Sequence, residues 1–114
     1  MRKQQCDERF SRETGPPTLV RSVTLDDGSR YIHRCPLDSF KQIAHAIEEA
    51  GREGTTIEQM VAAEDLPSSQ VAVARAFLVE RSLVEPAPRR RFRAASACLV
   101  EDALTEFHAL PMDG

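Results

Sequence analysis

Long apolar runs are missing from this 114-residue chain, the longest being Val71 to Val79 with Arg75 inside it. That is too short to cross a bilayer, and the N-terminus lacks the apolar stretch of a secretory signal. The expectation is a soluble cytoplasmic protein with no membrane partner. Cysteine is scarce as well: Cys6, Cys35 and Cys98 lie far apart, with no C-x-x-C pair. This excludes an even disulfide framework and the usual zinc spacing, and fits a reduced compartment. There is no glycine-rich phosphate loop, no metal-ligand spacing and no motif that sets a nucleophile beside a base. No enzyme activity, cofactor or metal is therefore expected. His33 and Cys35, two apart on an expected strand, point the same way but have no third partner, and read as surface strand residues. An excess of positive charge is lacking too, since 15 Lys and Arg against 18 Asp and Glu leave a net charge of −3 and a pI near 5.6. A protein that neutralises phosphates normally carries a basic footprint.

What is present is an ordinary globular composition, 41% hydrophobic and 29% charged, enough for one core. The charge is polarised along the chain. Between Leu37 and Leu66 seven acidic residues face only Lys41 and Arg52, whereas Pro86 to Ser96 holds Arg89, Arg90, Arg91 and Arg93 and no acid. Residues 1–17 are polar, of mixed charge, and end in Gly-Pro-Pro, which predicts a disordered tail before a single domain over 18–114.

Within that domain, residues 18–35 read as a β-hairpin, because two β-rich segments flank Asp26-Asp27-Gly28. The hairpin either pairs with later strands or serves as a dimer arm. Leu37, Phe40, Ile43, Ala44 and Ile47 then recur at helical spacing up to Gly51 and Gly54. A second helix starts at a capping box, either Thr55 with Glu58 or Thr56 with Gln59. Pro67 ends its turn and Ser68 is placed to cap a third helix over Ser69 to Ser82, whose inner face is Val71, Ala74 and Leu78.

Val71, Leu78, Leu83 and Val84, spaced V-x6-L-x4-LV and followed by Glu85, resemble the recognition helix and first wing strand of winged helix-turn-helix transcriptional regulators. The resemblance covers roughly the central third of the chain. It implies a mainly α fold with a small β component (α+β) over 37–95, and binding to double-stranded DNA. Three positions depart from the pattern: Arg75 stands where an apolar residue is usual, Ser82 where glycine is frequent, and the outer helix face, Ser69, Gln70, Ala72, Val73 and Ala76, has no lysine. The wing is expected as Leu83–Pro86, a turn over Ala87 and Pro88, and a strand Arg89–Ala95 with Arg89, Arg91 and Arg93 on one side and Arg90 and Phe92 on the other. The candidate DNA contacts are Ser68, Ser69, Gln70, Val73, Arg75, Ala76, Arg89, Arg90, Arg91 and Arg93. The arginine strand alternatively reads as a solvated edge guarded by charge.

Ser96 is placed to cap a last helix over residues 96–110, with a broad stripe of Leu99, Ala103, Leu104, Phe107 and Leu110 that suggests a homodimer interface. A second functional reading makes the fold a protein-interaction module, on the acidic first half, the lysine-free third helix and the expectation that Val73, Phe77 and Val79 are exposed. Burial of Phe77 together with an Arg75 that joins the wing arginines favours DNA instead.

Overall fold

The computed structural model describes residues 5–112. They form an α+β domain of four α-helices and two small antiparallel sheets. The first sheet is a meander of β1 (Gln5–Glu13), β2 (Thr18–Leu25) and β3 (Arg30–Pro36). The β2–β3 turn follows from Asp27 and Gly28: Gly28 takes φ 86°, its N–H donates to the Leu25 carbonyl, and the Asp27 carboxylate accepts from the Ser29 N–H at 2.9 Å.

Strand β1 overturns the expectation of a tail at residues 1–17, of which 1–4 lie outside the described residues. Its polarity is that of a strand whose described side chains are exposed or half-buried except Phe10, not of disorder. Phe10 is buried, and the charges around it are used across the sheet, Glu8 with Arg21 at 2.6 Å and Glu13 with Arg34 at 3.0 Å. The hairpin expected over residues 18–35 therefore pairs with β1 and not with the later strands. The far end of the chain closes the same edge: the Arg12 N–H donates to the Pro111 carbonyl at 3.0 Å and its Nε to the Leu110 carbonyl at 2.9 Å.

Helix α1 (Leu37–Ala50) buries Phe40, Ile43, Ala44 and Ile47, the face its periodicity predicts. A short 3-10 turn over Gly51–Glu53 leads to α2 (Ile57–Glu64). Of the two capping boxes, the chain uses the second. Thr56 Oγ1 accepts from the Gln59 N–H and Gln59 Oε1 accepts from the Thr56 N–H, each at 3.1 Å. Asp65 then takes a left-handed conformation, and Gln42 of α1 donates to the Glu64 carbonyl at 3.0 Å, which satisfies one orphan acceptor at the end of α2.

Helix α3 (Ser68–Glu80) begins one residue earlier than its sequence suggests. Pro67 is the N-cap, its carbonyl accepting from Gln70 and Val71, so Ser68 lies inside the first turn and caps nothing. At the other end Ser82 stands at φ 60°, the Ser82 N–H bonds the Val79 carbonyl and the Leu83 N–H bonds the Leu78 carbonyl. Those two bonds make a Schellman motif with serine in the position glycine normally takes.

A hairpin of β4 (Val84–Ala87) and β5 (Arg91–Ala94) follows, and helix α4 (Leu99–His108) closes the domain. Ser96 is not the cap of α4. Cys98 holds that place, while Glu48 of α1 accepts from the Val100 N–H at 3.3 Å and supplies a carboxylate to the helix N-terminus from outside the segment.

The core is one continuous cluster, and a chain of aromatic contacts links its layers. Phe77 of α3 lies 5.3 Å from Phe10 of β1 and 5.7 Å from Phe40 of α1, and Phe40 lies 6.0 Å from Phe107 of α4. If β1 is an integral layer, Phe10→Ala should lower the unfolding free energy by about 3–5 kcal/mol, the usual cost of such a truncation. Urea unfolding measures this, and a loss below about 0.5 kcal/mol would show β1 to be dispensable.

Candidate nucleic-acid interface

The inner arc of α3 is wider than the pattern of Val71, Ala74 and Leu78 implies. Val73 and Phe77 are also fully buried, because β2 and β3 pack against that flank of the helix. Val73 is therefore a core residue, and its place among the DNA contacts is corrected. Gln70 is half-buried, with its Oε1 enclosed and unbonded, so it too is turned from the outer face. The face left in contact with solvent consists of Ser68, Ser69 and Arg75, with Ala72 and Ala76 half-exposed and Val79 half-exposed at 50%.

Arg75 leaves the core entirely. It is exposed, and its guanidinium carbon lies 5.0 Å from the centre of the Phe92 ring, within the range of a cation–π contact. The helix need not rotate to accommodate it. Phe92 itself is buried and exchanges both backbone hydrogen bonds with Thr55, at 2.8 and 2.9 Å. This single bridge ties the β4–β5 hairpin to the segment before α2. It brings the strand so close that a Cβ at Gly54 would lie 2.5 Å from the Phe92 carbonyl oxygen. Gly54 also has φ 77°, so glycine is required there twice over.

The hairpin turn sits one residue later than expected. Ala87 pairs with Arg91, and Pro88, Arg89 and Arg90 form the turn instead of the start of a strand. Both Arg89 (φ 63°) and Arg90 (φ 60°) are left-handed, the conformation of the two central residues of a type I′ turn. Asn-Gly suits those positions, and an arginine costs roughly 1–2 kcal/mol in each. Arg91 and Arg93 face away from Phe92. Arg93 is committed internally, its Nε donating to Glu85 at 3.1 Å and its Nη1 to the Arg52 carbonyl at 3.2 Å. The guanidinium groups of Arg89, Arg90 and Arg91 have no hydrogen-bond or ion-pair partner among the described residues.

The arrangement therefore brings Ser68, Ser69, Arg75 and Ala76 onto one face and places Arg90 beside it. Arg75, Arg90 and Phe92 line a shallow recess of about 390 Å³ with Thr56, Ile57 and Glu58 of α2. Ala72, expected on this face, is on it, whereas sequence reasoning missed Arg52, which borders the other side of the hairpin with Arg89, Arg91 and Arg93. No local signal marks Arg52, since its neighbours on the hairpin are some forty residues away in the chain.

The stripe expected at a dimer interface is mostly internal. Leu99, Ala103, Phe107 and Leu110 are buried against the protomer's own core, chiefly α1, and only Leu104 of that set is half-exposed. One domain suffices to cover it, because both α1 and the β1 edge pack there. Cys35 is also corrected: it is buried beside α3, while His33 is exposed. Among the described residues no group of three His, Cys, Asp or Glu side chains could hold a metal ion, and no helix is long and apolar enough to cross a membrane. Comparison with protein-family models, curated proteins and solved structures gives no match.

Burial pushes the Cys35 thiol from its ordinary value of 9.0 up to about 12. The neutral thiol is thus favoured in the folded state: it adds no pH dependence near neutrality, and stability falls as pH rises above about 9 toward 12. In a Cys6→Ser background at pH 8, iodoacetamide should label exposed Cys98 and leave Cys35 unmodified until denaturant is added. Equal labelling of both thiols under native conditions would contradict the burial.

Proposed function

We propose that the chain is a winged helix-turn-helix domain that binds duplex DNA, with the outer face of α3 as the recognition surface and β4–β5 as the wing. The order α1, bridge residue, α2, α3, β4, β5 supports this reading, as does the Thr55–Phe92 bridge that docks the hairpin beside the helices. The observation that carries it is that Arg75 and Arg90 share the recess beside α3 while Arg89 and Arg91 stand on the same hairpin, all four guanidinium groups lacking a hydrogen-bond or ion-pair partner among the described residues, where the other arginines are largely paired with acids. Arginine forks match phosphate oxygens in pairs, and the small outer side chains Ser68, Ser69, Ala72 and Ala76 let the α3 backbone approach a groove closely. In this reading the wing supplies most of the affinity. The helix contributes hydroxyls and methyl contacts, with Arg75 as its one side chain able to make a bidentate base or phosphate contact. Regulation of transcription follows as the role such domains commonly serve.

The protein-interaction reading loses the apolar surface it expects at Val73 and Phe77, since both are buried, and keeps only the acidic first half and the lysine-free α3. Val79 alone, 50% exposed, offers little for a partner to bury.

If four arginines neutralise phosphates, log K should fall with log salt at a slope near −3.6 for one protomer, measured by duplex titration from about 50 mM salt upward. Replacing Arg89, Arg90 and Arg91 together by alanine should reduce that slope by about 2.7. Binding that ignores salt, or a triple variant that binds as well as the parent, rejects the proposal. The turn predicts an opposition between stability and binding. Arg89→Asn with Arg90→Gly should raise unfolding stability by roughly 1–2 kcal/mol through relief of left-handed strain. The same pair should weaken duplex binding and lower the slope by about 1.8. A variant that gains stability without losing affinity would remove Arg89 and Arg90 from the interface.

A further inference from the structure

The wing has a second face, away from α3, where Arg89 and Arg91, already among the proposed phosphate contacts, meet an arginine from outside the hairpin. Arg52, Glu53, Pro88, Arg89, Arg91 and Arg93 line a recess of about 390 Å³ between the 3-10 turn and the outer side of β5. Arg93 forms a fixed wall of it, neutralised by Glu85 and anchored on the Arg52 carbonyl. What remains is three guanidinium groups, those of Arg52, Arg89 and Arg91, against the single carboxylate of Glu53. None of the three has a hydrogen-bond or ion-pair partner among the described residues. Gathering like charges around a concavity is unfavourable unless an anion shares it, and concave walls concentrate the field of those charges.

Two further observations point to a built site instead of a solvated fringe. Arg89 is held on the rim by a left-handed backbone, a conformation that arginine adopts at a cost and that functional sites retain. Arg52 arises from the acid-rich first half of the chain, and the Arg93 hydrogen bond to its carbonyl draws the 3-10 turn against the hairpin. The cluster is thus assembled from two separate segments and not from one basic run.

We infer that this recess binds a phosphate-bearing anion, through the forks of Arg52, Arg89 and Arg91, independently of the recess beside Arg75. Planar guanidinium groups match the paired oxygens of a phosphate, and a di- or polyphosphate has enough negative charge to compensate all three. The phosphate is either that of a nucleic-acid backbone that runs along the outer side of the wing or that of a free phosphorylated ligand.

The test uses the full chain with inorganic pyrophosphate as probe, titrated calorimetrically at low salt in the absence of DNA. Saturable binding with a Kd below about 1 mM is expected, weakened at least about tenfold by Arg52→Gln and changed less than about twofold by Arg75→Gln. Arg52→Lys, which keeps the charge but loses the fork, should fall between parent and Arg52→Gln, and serves as the second variant. A duplex titration with Arg52→Gln separates the sources. A salt slope reduced by about 0.9 assigns the phosphate to nucleic acid, and an unchanged slope assigns it to a free ligand. No saturable pyrophosphate binding, or equal weakening by Arg52→Gln and Arg75→Gln, overturns the inference. Because the pyrophosphate arm contains no DNA, its failure is distinct from failure of the proposed duplex binding.

Discussion

The burial of Phe77 is the constraint on which the rest of the molecule depends. Its ring touches Phe10 on one side and Phe40 on the other, so the β1–β2–β3 sheet, α3 and α1 share one packed contact, which Phe40 extends to Phe107 of α4. Edge-on aromatic pairs contribute about 0.5–1.5 kcal/mol beyond the area they bury. The larger effect is geometric. With Phe77 and Val73 committed to the sheet and Val71, Ala74 and Leu78 to the helices, α3 has only one arc left for any partner, and that arc ends at Arg75.

From that arc the position of the hairpin follows through few contacts. Leu83 leaves α3 through the Schellman bonds, and Phe92 returns to the core and bonds Thr55 at both backbone groups. The Gly54 backbone must pass nearly in contact with the Phe92 carbonyl for this to occur. Arg75 then covers the Phe92 ring, so one aromatic side chain both seals the core and seats the helix cation nearest the hairpin.

Charge is sorted by the same packing. On the first sheet, Arg21 and Arg34 meet Glu8 and Glu13 across strands, and on the hairpin Arg93 meets Glu85. The more exposed of them, Arg34–Glu13 and Arg93–Glu85, contribute about 0–1 kcal/mol each, so their main effect is to remove those arginines from competition for an external anion. Among the described residues, the guanidinium groups of Arg52, Arg75, Arg89, Arg90 and Arg91 are left without an acidic partner around the hairpin. A chain that is acidic in total is thereby locally basic, and net charge says little about such a protein's partners.

Local chemistry in the sequence determined the helices and turns that depend on neighbours in the chain. These are the buried stripe of α1, a capping box before α2, which the fold narrows from two candidates to Thr56–Gln59, and the Asp27-Gly28 turn. Each is set by interactions within about four residues, which spacing and residue type reveal directly. Tertiary structure alone decided that Gln5–Glu13 is a strand, that Val73 and Phe77 are core, that the α4 stripe is spent within the protomer, and that Arg52 joins the hairpin arginines. In every one of those cases the outcome is set by a surface contributed from a distant part of the chain. A polar strand looks like a tail until its partner strand pairs its charges. The outer limit of a helix's buried face, likewise, depends on how many layers are packed against it.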